Sequence, residues 1–310
     1  MAERNSFDRA EKVGWLMASL LNLYLTYYSR DSFPFEWLQK TEDLEVCCKE
    51  TSSEKVAFPI SPELLKAINK CERVTAPGKG QQGLPGNWGF AGFMKTAAHQ
   101  VVDEIPFKAT DFSGPLFDEL GVGIIIDSYI RIKGVQIFQL RHNHWSCIVR
   151  DHSRAFDATQ QGNSRDYLLR SELLAVTSIF FRQMNEMVWL PEEDRYMAKP
   201  IYKEGLLTAC SSLHFLPIIC IHGSVPMLTM PVKATVVTFI YGKVRIVQAT
   251  CNPSETYPTL SLTLRAICSL GKDNYNKKVA FNVLKWIFCP SEPAKELAMR
   301  GKSRSSYRQA

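Results

Sequence analysis

The run Thr235 to Ala249, TVVTFIYGKVRIVQA, holds two β-branched and aromatic segments around a Gly-Lys pair. Val236 to Tyr241 and Val244 to Ala249 are each long enough for a strand. A glycine between such segments supplies the positive φ that tight hairpin turns need, so Gly242 and Lys243 are read as the turn. Similar β-rich runs lie upstream: GVGIIID (Gly121 to Asp127), YIRI (Tyr129 to Ile132), VQIFQL (Val135 to Leu140), HWSCIVR (His144 to Arg150) and the short RAFD (Arg154 to Asp157). Strands this close together favour antiparallel neighbours.

Helical signals surround these runs. Asp8 and Glu11 form a capping box for a helix reaching about Tyr28. Ser61-Pro62 opens a second helix, with Leu64, Leu65 and Ile68 inward. NWGFAGFMKTAAHQVVDEI, from Asn87 to Ile105, reads as a third, burying Phe90, Met94, Ala97 and Val101. Ser171 to Phe181 and Lys278 to Phe288 complete the set. The expected class is α+β, a mainly antiparallel sheet with flanking helices. The charged run Pro191 to Lys199 marks the expected boundary between an N-terminal α+β domain, 1–190, and a C-terminal domain, 191–310, made of the hairpin, a helix and a basic tail.

The 310 residues include 17 Phe, 11 Tyr and 6 Trp, which argues for a packed core rather than disorder. Net charge is +6, from 37 basic and 31 acidic residues, a mild excess that permits an anionic partner. Nine cysteines without a CxxC pair point to reduced thiols in the cytoplasm, with the nucleus as the second expectation. The start, MAERNSFDRAEK, is too charged for a signal peptide. Leu213 to Ile221, the most apolar stretch, is far shorter than the ~20 residues of a membrane span. A viral protein acting inside a cell fits the same pattern.

One constellation points toward chemistry. In LRHNHWSCIVRDHSRAFDAT, Leu140 to Thr159, His144 opens an apolar run and Asp157 closes another, an order that can orient an imidazole. Gly86-Asn87-Trp88-Gly89-Phe90-Ala91, His144-Trp145 and Asp157-Ala158-Thr159 together resemble the papain-like and transglutaminase-like thiol hydrolases. There a cysteine opens a helix, and a histidine and an aspartate follow in that order. The likeness covers roughly residues 80–160, and Asn87 stands where the cysteine belongs. An amide is no nucleophile. Cys71 precedes the loop, and Cys147 points to the opposite strand face from His144. The resemblance therefore implies a vestigial cleft of Asn87, His144 and Asp157 on a protein-binding scaffold, or a thiol hydrolase with its nucleophile elsewhere. The enzyme reading is the weaker of the two.

No metal or cofactor is expected. His142, His144 and His152 lack a second ligand cluster, and Ala76 to Gly86 lacks the GxxxxGK[ST] spacing of a phosphate loop. The broader pattern is basic and aromatic. Arg131, Lys133, Arg141 and Arg150 accompany Tyr129, Phe138 and Trp145. Lys233, Lys243 and Arg245 flank the hairpin near Phe239 and Tyr241. Arg300, Lys302, Arg304 and Arg308 form a cationic tail. Val236 to Val247 also resembles the hairpin of the rotavirus-type octameric RNA-binding NTPase, although Tyr241 precedes the glycine and the HGKxH histidines are absent. The expected function is RNA binding, with cations on phosphates and rings stacked on bases. A protein partner or self-association is the second expectation, and no membrane is involved.

Overall fold

The computed structural model describes residues 18–19, 22–23, 32–41, 45–50, 62–75, 83–104, 110–111, 132–141, 144–152, 165–183, 185–190, 192, 195–200, 232–251 and 259–288. Its centre is a seven-stranded sheet. The strands are β2 (Glu45–Glu50), β3 (Thr110–Asp111), β4 (Ile132–Arg141), β5 (His144–Asp151), β9 (Val232–Ile240), β10 (Lys243–Cys251) and β11 (Thr259–Ser269), in the spatial order β2-β11-β10-β9-β5-β4-β3. Four neighbour pairs are antiparallel, while β2 runs parallel to β11 and β5 parallel to β9. The strands β1 (Ser32–Pro34) and β6 (Tyr167–Leu169) form a small antiparallel pair, as do β7 (Asn185–Leu190) and β8 (Arg195–Pro200).

Helices cover both faces of the large sheet. On one face lie α1 (Phe35–Leu38) and α5 (Arg170–Gln183), packed on Trp145, Cys147, Val236, Val247 and Leu262. On the other lie α2 (Pro62–Lys70), α3 (Glu72–Thr75), α4 (Phe90–Asp103) and α6 (Lys277–Ile287), packed on Ile148, Val237, Val244 and Ile246. A strand buried on both faces needs apolar or paired residues at every position, not at alternate ones. That is why VKATVVTFI in β9 is buried throughout except at Lys233. Strand β11 keeps the alternating pattern, burying Leu260, Leu262, Leu264 and Ala266 between more open positions.

The mainly antiparallel sheet with flanking helices follows the sequence reading. Phe90, Met94, Ala97 and Val101 are all buried on α4, as their spacing requires. The expected helix at Lys278 begins one residue earlier, because the Asn276 side chain accepts from the amides of Lys278 and Val279 at 2.9 and 3.4 Å. The hairpin turn is Tyr241-Gly242 rather than Gly242-Lys243. Lys243 already pairs with Ile240, and Gly242 carries the positive φ of 71°. The expected connection at Pro191 to Lys199 includes part of β8. The expected division at 190/191 does not coincide with a break in the sheet, since β5 pairs directly with β9. The Asp8 capping box and the runs GVGIIID and RAFD lie outside the described residues.

A buried ion pair sits inside this core. Arg245, on β10, and Glu172, in the first turn of α5, are both fully buried and meet at 2.8 Å through Nε and Oε1. Arg245 Nη2 also donates to the Tyr167 carbonyl at 2.8 Å, and its guanidinium lies 4.8 Å from the Tyr167 ring centroid. Glu172 Oε2 accepts the Leu169 amide at 2.8 Å, which caps the helix it belongs to. Removing one partner strands the other charge in the interior. We expect Arg245→Met to lose about 3–5 kcal/mol in urea unfolding, and Arg245→Met with Glu172→Leu to recover part of that loss. A double variant whose loss equals the sum of the losses of Arg245→Met and Glu172→Leu made singly would show that the pair is not coupled.

Candidate nucleic-acid interface

Trp88 and Tyr241 are the large hydrophobic side chains exposed among the described residues, at 49% and 41%. They are far apart in sequence yet touch, with ring centroids 4.9 Å apart and planes tilted by 59°. His152 meets Trp88 in an edge-type contact, with ring centroids 4.3 Å apart. The three rings make a ledge at the end of the sheet where the parallel strands β5 and β9 both finish.

Local backbone requirements put each ring there. Tyr241 stands in the two-residue turn between β9 and β10. Trp88 lies in the 3-10 turn Asn87–Gly89 that leads into α4. That turn is tight: the Gly89 amide donates to the Gly86 carbonyl at 2.8 Å, and a Cβ on Gly89 would come within 2.6 Å of Pro85 Cβ. The loop after β11 joins them, as the Leu270 amide and Asn274 Nδ2 both donate to the Gly242 carbonyl at 3.0 and 3.3 Å. Asn87 Oδ1 accepts the Lys272 amide at 2.6 Å. Lys272 is exposed in this loop, and Lys243, half-buried, directly follows the turn. The exposed Asp273 is their acidic neighbour.

The residues singled out in the sequence fall in different places. Arg150 is partly exposed on β5, and its buried Nε has no hydrogen-bond partner among the described residues. Lys133, exposed on β4, is its partner in register. Arg141 closes β4, and its side chain lies outside the described residues, as do Asp157, Arg300, Lys302, Arg304 and Arg308. Arg245 is corrected: a guanidinium with no exposed surface, held by Glu172, cannot meet a phosphate. Trp145, Phe138 and Phe239 are core residues and offer no ring to a base.

The structure does not bring Asn87 and His144 together. His144 is in register with Lys233 at the start of β9, whereas Asn87 sits against Gly242 beyond its end. At ~3.3 Å per residue this separates them by roughly 25 Å. Burial also pushes the Cys71 and Cys147 thiols up, away from the thiolate form that attack requires.

His144 belongs instead to a polar row that the sequence did not reveal. Its Nε2 lies 2.8 Å from Thr235 Oγ1 on β9. Gln248 on β10 donates to the same hydroxyl at 3.3 Å, and Arg265 Nε donates to Gln248 Oε1 at 2.8 Å. Four adjacent strands thus contribute one polar residue each. The available signal was weak: single polar letters interrupting apolar runs at positions that become neighbours only after the strands pair. With His144 fully buried, this row is internal bracing.

No protein-family model, curated protein or solved structure matches the chain. Among the described residues, no group of His, Cys, Asp or Glu is arranged to hold a metal ion. No helix among them is long and apolar enough to cross a membrane.

Thr235→Val removes the central hydroxyl of the polar row and leaves His144 and Gln248 short of a partner. The expected loss is about 1–3 kcal/mol in chemical unfolding. A variant as stable as the wild type would show that His144 does not depend on that bond.

Proposed function

We propose that this chain is an RNA-binding protein and that the ledge of Trp88, Tyr241 and His152 is where it holds RNA. The observation that carries this reading is the pairing of two exposed aromatic rings beside Lys243 and Lys272. Folded chains bury such rings when they can, so an exposed pair in mutual contact suits a partner with flat apolar faces. Every unpaired base has such a face, and stacking is worth about 1–3 kcal/mol per base. Lysines nearby would attract the phosphates that accompany those bases. The mild positive charge of the whole chain points the same way. Arg150 and Lys133 extend the cationic character along β5 and β4.

The sequence-level version of this reading relied on Arg245 and on aromatics that turn out to be core residues. Here it rests on Trp88 and Tyr241, which are accessible. In this account Asn87 and His144 play no joint part, since they stand at opposite ends of β9.

The test is fluorescence anisotropy with labelled single-stranded RNA, duplex RNA and heparin over a salt series. Affinity should fall steeply with salt and should favour the single strand over heparin of equal charge. Tyr241→Ala and Trp88→Ala should each weaken single-stranded RNA by roughly tenfold, the loss of one stacked base. Lys243→Ala should reduce the salt slope by about one without changing sequence preference. Absence of RNA binding at low salt would sink the proposal.

A further inference from the structure

The position where the sequence pattern lacks a nucleophile has a different task in the folded chain. We infer that Asn87 is a positioning residue that presets the Trp88–Tyr241 ledge for stacking. This rests on the reading of the ledge as an RNA site.

The geometry is specific. The Asn87 carboxamide fills a slot between the hairpin turn and the loop after β11. Its Oδ1 accepts the Lys272 amide at 2.6 Å across 185 positions of sequence. Both walls of the slot are glycine. A Cβ on Gly271 would lie 2.6 Å from Asn87 Oδ1, 2.9 Å from Gly242 Cα and 3.1 Å from Asn274 Oδ1. On the other wall, the Asn87 amide nitrogen is 4.0 Å from where a Gly242 Cβ would be. Trp88 follows Asn87 directly in the chain, and Tyr241 directly precedes Gly242. One side chain therefore fixes the backbone from which each ring projects.

That arrangement bears on binding rather than on folding alone. The slot is at the rim of the sheet and borders the apolar cluster at Phe90, Val244 and Leu270, so the urea midpoint is what separates an effect on binding from one on folding. A base that stacks on rings already held in place need not order them first, and affinity gains by the ordering avoided. Without the Lys272 bond, the 87–89 turn loses its tie to the loop and Trp88 is free to leave Tyr241 and His152. Aspartate at this position keeps the accepting oxygen, whereas alanine does not.

The experiment uses the full chain as wild type, Asn87→Ala, Asn87→Asp, Lys272→Ala and Trp88→Ala. The probe is a short single-stranded oligoadenylate RNA. Three quantities are read: its affinity over a salt series, the urea midpoint, and the NMR shift of the His152 ring protons, which sense the ring current of Trp88. Asn87→Ala should bind about tenfold more weakly with an unchanged salt slope, and its His152 resonance should move toward that of Trp88→Ala. Asn87→Asp should keep the wild-type His152 resonance and, at high salt where its added charge is screened, most of the affinity. Lys272→Ala retains the backbone amide, so it should keep the resonance while lowering the salt slope by about one. Wild-type affinity and an unmoved His152 resonance in Asn87→Ala would overturn the inference. So would a loss of affinity that merely follows a lowered urea midpoint into the unfolded range. If the wild type itself fails to bind RNA, the functional reading falls and takes the stacking role of Asn87 with it. Failure of the inference alone has a different signature: a wild type that binds, with Asn87→Ala indistinguishable from it.

Discussion

The buried pair of Arg245 and Glu172 is the constraint around which the rest is arranged. Two charges withdrawn from water are tolerated only if every strong donor and acceptor direction is met. Arg245 can meet that demand because α5 begins directly above it and the Tyr167 carbonyl and ring stand on its flank. Glu172 both neutralises the guanidinium and holds the Leu169 amide at the start of its own helix. The pair thus fixes where α5 starts and which way it faces. With that end fixed, Leu173, Val176, Ile179 and Phe180 are directed into the apolar cluster on the sheet. An all-apolar core would offer more stabilising contact but many more ways to slide a helix over a sheet, and charge pairing selects among them.

The central hairpin carries this order outward. Strands β9 and β10 are buried on both faces along most of their length. One end of the hairpin is braced by the row from His144 through Thr235 and Gln248 to Arg265. The other ends in the turn at Tyr241 and Gly242. Internal bracing belongs at the first end because polar groups there are buried and must bond to each other. Ligand contact belongs at the second, where the chain turns and rings reach solvent.

The sequence exposed the local part of this and hid the part that depends on pairing. The strand pattern of Val236 to Ala249 is visible because β-branched residues crowd it, and the glycine in its turn is visible because few residues adopt that φ. The inward stripe of α4 follows from its 3.6-residue repeat. Arg245 was misread for a physical reason. In a sheet covered on one face, an arginine amid valines points to water, but β10 is covered on both. Only the placement of α5 reveals the partner, and Glu172 lies 73 positions away. His144 misled similarly: an imidazole beside a tryptophan suits a cleft, but Thr235 meets it within the sheet. Trp88 and Tyr241 could not be matched from sequence, since nothing local in either segment encodes their contact.

The ledge also differs in kind from the anchor. Arg245 and Glu172 are where the fold makes charges bearable, while Trp88 and Tyr241 are where it leaves apolar surface uncovered. Burying the rings would stabilise the chain, at about 25 cal/mol for each Å² removed from water. Nothing in the backbone prevents a polar residue at either position, because Trp88 is in a surface turn and Tyr241 at a hairpin tip. The glycines beside them are a different matter. Gly242 and Gly271 are required by φ or by close approach, and Asn87 fits between them. Backbone geometry therefore fixes the frame of the ledge but not the rings set in it. Rings that the fold does not require, held in a frame that it does, are what a stacking surface needs.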